Sequence, residues 1–372
     1  MLKNKIAIIC DGWAGISSPL NNTIKILSEG NEVNVFYLMK PYTGLDQAIH
    51  LPRIENENVK VILVKSELIS ETIFKRIKRK LLNVNQFEYA FANKIDFQNY
   101  DLIILMDKIL KSVGYKMLFN KLKYYFFSLE IPNNVSFLER IYLLKVSRVF
   151  TQDDIRKKII SKYYGLRENK IRVIYNSSIG KAEKQSSNYF HDKFNLTPNS
   201  RILLMLGTIS YEHGIDDFLK IVEGYKGDLI FVIHGWVTHT EILKKIQNNS
   251  QYKKRLFFSD EIVSFDDKKK LFNSATIGYV NFSSNEINYY YGAGSAGKLY
   301  DFMMAGIPIL ANNIFGMKEI IEKDNIGCIY SNIDEVSQKI NYVLENYNLL
   351  SDNALKTFDK YNFEKSLKNA FE

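Results

Sequence analysis

Apolar and polar positions along this chain fall into two alternating rhythms. Short β-branched and aromatic runs, KIAIICD, EVNVFYL, VKVILV, DLIILM, KYYFFSLE, RVFTQ and KIRVIYN, recur through the first 180 residues, with stretches of helical spacing between them. Runs of this length predict strands covered on both faces, and strands alternating with helices predict crossover units in a parallel sheet. A second series then follows: RILLMLG, DLIFVIHG, KRLFFSD, ATIGYVNF, IPILAN and GCIYS. The pattern predicts an α/β protein of two doubly wound domains, 1–180 and 199–360, joined by a linker at 181–198, where the sequence is polar and shows no clear apolar period. The last stretch, TFDKYNFEKSLKNAFE, reads as an aromatic helix, and 361–372 is expected to pack back on the first domain.

Composition narrows the class. With 372 residues, 46% apolar and 24% charged, the chain suits two packed domains rather than a disordered one. Its longest apolar runs are far below the ~18 residues that span a bilayer, and no charged-then-apolar leader precedes them, so a cytoplasmic protein is expected. The two cysteines, Cys10 and Cys328, lie in strand-like runs and supply neither a disulfide framework nor a metal-ligand cluster. No metal site is expected.

Charge is uneven. Through Gly180 there are 28 Lys and Arg against 17 Asp and Glu; the remainder has 22 against 24. A first half at +11 suits an anionic partner, and the absence of zinc-finger, helix-turn-helix or RNP patterns favours a membrane surface over nucleic acid. The stretch SELISETIFKRIKRKLL puts Ile73, Phe74, Ile77 and Leu81 on one side of a helix, with Lys75, Arg76, Lys78, Arg79 and Lys80 at the flanks. Such a helix either lies on an anionic leaflet, peripheral to the inner face of the cell membrane, or packs its apolar side into the core with a solvated basic face. Lys108 to Tyr125, basic and aromatic, is a candidate extension of the same surface.

Candidate chemistry concentrates in YYYGAGSAGKLYDFMMAGIPIL, Tyr289 to Leu310. Ser295 is expected at a helix N-cap, with Gly292, Gly294 and Gly297 allowing close backbone approach. Lys298 faces the positive end of the helix macrodipole, which is mildly unfavourable unless an anion binds there. Asp301, three positions on, is expected beside it on the exposed face, while Leu299, Phe302 and Met303 face the core. An ordinary capped surface helix would use the same residues. A P-loop is one residue away, but Leu299 stands where Ser or Thr must hold magnesium.

Other strand ends supply further candidates. Gly207, Thr208 and His213 occupy a strand-to-helix loop of the second domain. Gly12, Trp13 and Gly15 form the first loop of the first domain, which is expected to line a cleft. Glu130, at the edge of FFSLEIP, suits a base or a hydroxyl ligand, or else a helix cap.

The segments RILLMLGTISYEHGIDDFLKIV, LIFVIHG, LFFSDEIVSFDDKKKLFNSATIGYVNFSS and GSAGKLYDFMMAGIPILANNIFGMKEII, across Arg201 to Tyr330, resemble the nucleotide-sugar-dependent glycosyl transferases of group 1. The resemblance implies a GT-B architecture, two Rossmann-like domains facing a central cleft. It also implies transfer from a nucleoside diphosphate sugar, UDP-linked among others, to a glycan or lipid-linked acceptor in bacterial surface polysaccharide assembly, such as capsule or lipopolysaccharide. By that likeness Gly294, Ser295, Ala296, Gly297, Lys298 and Leu299 carry the diphosphate contact, Asp301 stands where a ribose-binding Glu is usual, Gly207 to Gly214 face the same phosphates, and Gly12, Trp13 and Gly15 lie on the acceptor side. The catalytic candidates are then Lys298 and Glu130. This chain departs from the family pattern at Ala293, where a sugar-side carboxylate is usual, and at Thr208 and His213, where Arg and Lys are common. A nucleotide-sugar epimerase and a non-catalytic nucleotide-sugar-binding protein are the competing classes.

Overall fold

A computed structural model of the chain describes residues 4–11, 17–39, 56–65, 73–120, 122–261, 263, 267–283 and 285–372. The first loop candidates, Gly12, Trp13 and Gly15, lie outside the described residues. The chain divides into two units, Met1–Tyr175 with Phe363–Glu372, and Asn176–Asn362.

The first unit is built on seven strands: β1 (Lys5–Asp11), β2 (Glu32–Met39), β3 (Val59–Lys65), β4 (Leu102–Met106), β5 (Tyr124–Phe127), β6 (Arg148–Thr151) and β7 (Ile171–Val173). They form one sheet in the order β3-β2-β1-β4-β5-β6-β7, every neighbouring pair parallel. Strand order reverses between β1 and β4, the place where open parallel sheets receive ligands beyond their carboxyl ends. Ile103, Ile104, Leu105, Tyr124 and Phe126 are fully or almost fully buried, as a sheet covered on both faces requires. The C-terminal helix Phe363–Phe371 belongs to this unit, with the Phe371 ring 5.1 Å from Tyr125 and 5.4 Å from Phe150.

Two basic helices of this unit differ. Ile109–Asn120 buries Ile109, Leu110, Val113, Tyr115 and Met117. The stretch from Lys108 to Tyr125 is therefore a helix packed into the core and followed by β5, with Lys108, Lys111 and Phe119 left at the surface. Ile73–Leu81 buries nothing: Phe74 is 85% and Leu81 75% exposed, with Ile73 and Ile77 exposed beside them.

The second unit carries β8 (Ile202–Leu206), β9 (Ile230–His234), β10 (Leu256–Ser259), β11 (Ile277–Val280), β12 (Ile309–Asn312) and β13 (Gly327–Tyr330). Their order is β10-β9-β8-β11-β12-β13, again all parallel, and it reverses between β8 and β11. The helix Gly297–Met304 docks on this sheet through Leu299, Tyr300, Phe302 and Met303, each burial contributing ~1.5–3 kcal/mol. Its close approach depends on Gly278 in β11, where a Cβ would stand 2.4 Å from the Phe302 ring.

The segment read as a linker, 181–198, is part of this second unit, and the boundary falls at Tyr175. Tyr189–Phe194 is a short helix with Phe190 fully buried; the Phe194 ring stacks 4.9 Å from Phe257, and the Glu183 N–H donates to the Met304 carbonyl at 2.9 Å. Two aromatics four positions apart anchor the segment, a signal too short to register as a period.

Candidate functional site

Because β8 and β11 are neighbours, the loops that follow them adjoin at the point of strand-order reversal. The β8 loop contains Gly207, Thr208 and His213; the β11 loop leads through Phe282 to the residues Gly294–Asp301. The C-terminal candidates are thus gathered at one edge of one sheet. Glu130 belongs to the other unit.

The β8 loop is set on a buried polar support. Gly214 has φ +76, and a Cβ there would lie 2.2 Å from Asn281 Cγ. Asn281 donates from Nδ2 to the Tyr330 hydroxyl at 2.6 Å and the Tyr279 hydroxyl at 2.8 Å, and Tyr279 donates on to the Gly214 carbonyl at 3.3 Å. A fully connected network of this kind specifies one loop conformation. Neither Asn281 nor the two tyrosines stood out in the sequence, since their roles come from strands distant along the chain. His213 follows, its Nδ1 2.9 Å from Ser210 Oγ and its ring 5.4 Å from that of Phe282. Burial, with the charge of Lys298 adding to it, pushes the His213 pKa down to about 3. His213 is therefore neutral at neutral pH and supplies no cation.

Among the described residues, Lys298 is a buried cation with no hydrogen-bond partner. Its ammonium nitrogen is buried, lies 5.5 Å from the centroid of the Phe282 ring, and makes no hydrogen bond. Burial lowers its pKa to about 8. The start of its helix is equally unsatisfied by side chains: Ala296 occupies the N-cap and provides no cap. Ser295, expected at that cap, lies instead in the 3-10 turn Ala293–Ser295, with its Oγ turned to the Gly292 carbonyl at 3.1 Å and its own carbonyl accepting from Asn176 Nδ2 at 2.7 Å. An extra tight turn displaces the serine by one position. An uncapped helix start beside a buried ammonium leaves N–H donors and a positive charge that an anion can satisfy.

Asp301 is not on the exposed face beside Lys298. It is 6% exposed, with Oδ2 2.6 Å from Lys268 Nζ and Oδ1 accepting from Ser178 Oγ. The helix turns the acid toward these two, so Lys298 gains no internal counter-ion. Lys268 and Ser178, from segments far apart in sequence, carried no recognisable signal.

At the corresponding edge of the first unit, Glu130 follows β5, its side chain 55% exposed and 3.9 Å from Arg156. Burial raises its pKa, while Arg156 and Lys108 pull it down. Arg156 is itself buried and donates to the Leu129 carbonyl at 2.7 Å. Beside Glu130 stands a residue the sequence reading passed over. Asp107, immediately after β4 with φ +51, accepts from the Glu130 N–H at 3.3 Å. Desolvation, followed by the charge of Glu130, raises its pKa to about 7. Its position directly after DLIILM was the available clue. Among the described residues, no group of three or more His, Cys, Asp or Glu side chains is arranged to hold a metal ion.

Residues 187–361 match the family described as glycosyl transferases group 1. No curated protein matches the sequence. Among solved structures, Anabaena Alr3699/HepE in complex with UDP-glucose is similar at TM-score 0.72 and 14% identity, covering 99% of this chain and 98% of that one. WaaG, a glycosyltransferase involved in lipopolysaccharide biosynthesis, is similar at TM-score 0.65 and 14% identity, covering 98% of both chains. A putative UDP-N-acetylglucosamine 2-epimerase from Listeria monocytogenes is similar at TM-score 0.62 and 13% identity, covering all of this chain and 95% of that one. The chain has the GT-B fold of these structures, and its residues 187–361 are the part that is similar to the glycosyl transferases of group 1.

Proposed function

We propose that the protein transfers a sugar from a nucleoside diphosphate sugar, held by the second unit, to a glycan or lipid-linked acceptor held by the first. The observation that carries this reading is the unpartnered, buried ammonium of Lys298 at an uncapped helix start. A diphosphate there gains the ammonium and the first N–H groups of the helix, and the same groups stabilise the charge that grows on it as the glycosidic bond breaks. In this proposal the charge is met without a metal ion, so chelation with EDTA leaves the rate unchanged. Thr208 and neutral His213 contribute hydrogen bonds from the opposite loop. Asp301 meets a ribose only by exchanging one of its present partners.

On the acceptor side, Asp107 and Glu130 receive the acceptor hydroxyl. Retention at the anomeric carbon is the outcome implied by the family; inversion, read from the product anomer by NMR, would instead make a carboxylate of this pair the base. The wholly exposed apolar side of Ile73–Leu81, flanked by five cations from Lys75 to Lys80, supports an acceptor presented at an anionic membrane surface, where each basic residue contributes ~1 kcal/mol. No helix among the described residues is long and apolar enough to cross a membrane. WaaG is involved in lipopolysaccharide biosynthesis, and a role in bacterial surface polysaccharide is the setting proposed for this chain.

The test is incubation with a panel of labelled nucleotide sugars, with and without lipid-linked acceptors, scored for glycosylated product and free nucleoside diphosphate. Acceptor-dependent release supports transfer. Isomerised sugar without acceptor would make the protein an epimerase, and binding without turnover would make it a non-catalytic receptor.

A further inference from the structure

The second unit exposes aromatic surface next to the proposed diphosphate position, and the glycosyl-transfer reading does not by itself explain it. Tyr290 is 38% and Phe315 48% exposed, with ring centroids 5.8 Å apart. Tyr291 closes the group, 5.2 Å from Phe315 and 4.8 Å from Tyr290. Large apolar groups clustered at a surface are uncommon unless something covers them. The cluster is continuous with the anion site: Tyr289, the preceding residue, packs 6.2 Å from the Phe282 ring above which Lys298 lies, and 5.5 Å from His213. Phe315 is fixed to the same neighbourhood because Asn312, three residues earlier, clamps the Phe282 backbone, accepting from its N–H at 3.1 Å and donating to its carbonyl at 2.8 Å.

We propose that Tyr290, Tyr291 and Phe315 form the platform that holds the sugar of the donor, by stacking against its C–H face. The proposal rests on the glycosyl-transfer reading and adds a contact to it. The sugar is bonded to the outer phosphate, so an aromatic surface running outward from Lys298 meets it first. Between Tyr289 and Lys298 there is no carboxylate; the acid preceding this stretch, Glu286, begins the turn that carries the tyrosines, and the one following it, Asp301, is held by Lys268 and Ser178. A ring face is electron-rich and attracts the polarised C–H groups of a hexose, and two such faces define its orientation without a charged ligand. Sugar selection then follows shape: a hexose with several C–H groups on one side is held, and one with hydroxyls on both sides is not.

The test compares binding of UDP with UDP-glucose, and GDP with GDP-glucose, by calorimetry in the wild type, in a Tyr290→Ala/Phe315→Ala double variant and in Tyr290→Phe. The double variant is expected to lose about tenfold in affinity for the sugar nucleotide that the wild type prefers and nothing for the matching diphosphate, with Tyr290→Phe unchanged. An unchanged sugar nucleotide affinity overturns the platform, as does an equal loss for sugar nucleotide and diphosphate. A change confined to the KM of the acceptor reassigns the aromatics to the acceptor and also overturns it. A wild type that binds none of the four compounds removes the glycosyl-transfer reading and the platform together, so the two failures are told apart.

Discussion

Lys298 and Asp107 stand at equivalent places in the two units, each beyond the carboxyl ends of strands at or beside the point where strand order reverses, and they are perturbed in opposite senses. Burial lowers the ammonium of Lys298 to about 8 and raises the carboxyl of Asp107 to about 7, so each leans toward its neutral form. Their surroundings differ. Among the described residues no acid pairs with Lys298, whereas Asp107 faces Glu130 and Asp11, opposed by the Glu130 N–H and Lys108. A buried charge left unpaired in a native fold is costly, and that cost is relieved by whatever completes it. In the proposed function an anion completes the second unit. The first holds a carboxyl that can take or give a proton near neutrality, which suits a hydroxyl group rather than a phosphate.

The strongest way to break this contrast is to delete the cation. Lys298→Met is expected to lower kcat about 10²–10³-fold, the scale of one preorganised charge-stabilising contact, while the fold persists and gains stability at pH 7 because the buried unpaired ammonium is gone. Steady-state kinetics and thermal unfolding read the two effects; normal turnover would remove Lys298 from the reaction. Next in size is Gly214→Ala. The new Cβ meets Asn281 and the backbone is held at positive φ, so about 2–4 kcal/mol of stability is lost, seen as a lowered Tm, and diphosphate affinity falls with it. A variant as stable as the wild type would mean that the Asn281 network does not fix the loop. A smaller effect is the pH dependence of binding: Lys298 must be protonated to hold a diphosphate, so affinity is expected to fall by up to about tenfold per unit as pH rises above 8, and to show no such fall in Lys298→Met. Calorimetry between pH 7 and 10 decides it.

Much of this contrast was legible in the chain. Both sheets follow from apolar runs long enough for strands and too continuous for half-exposed ones, and Lys298 stood out because a lysine in a first helical turn is misplaced without an anion. What escaped depends on contacts between distant segments. Ser295 reads as a cap by residue type, yet a 3-10 turn one residue earlier moves the helix start to Ala296. Asp301 reads as Lys298's neighbour by spacing, yet Lys268 and Ser178 claim it from 33 and 123 residues away. Phe190 and Phe194 anchor a segment whose polar composition suggests a linker. The basic helix Ile73–Leu81 left two readings open in sequence, and only its exposure separates it from the core helix at Ile109–Asn120.

The smallest effect tests the sign of the comparison itself. Between about pH 4 and pH 7, native Asp107 keeps a proton that the unfolded chain has released, so the first unit is expected to lose stability as pH rises through that window. Asp107→Asn removes the dependence: at pH 8 the variant is more stable by ~1–3 kcal/mol, less than the full shift because the group keeps some solvent, and near pH 4 it matches the wild type. Lys298 runs the other way. Between about pH 8 and 10.5 its native form has released a proton that the unfolded chain still holds, so the second unit gains stability as pH rises. Hydrogen exchange, corrected for its intrinsic pH dependence, reads β4 and β5 separately from β8 and β11. Protection falling with pH in the first pair and rising in the second is the expected result. Slopes of one sign in both units would mean that the two edges are not the opposed charge sites their geometry describes.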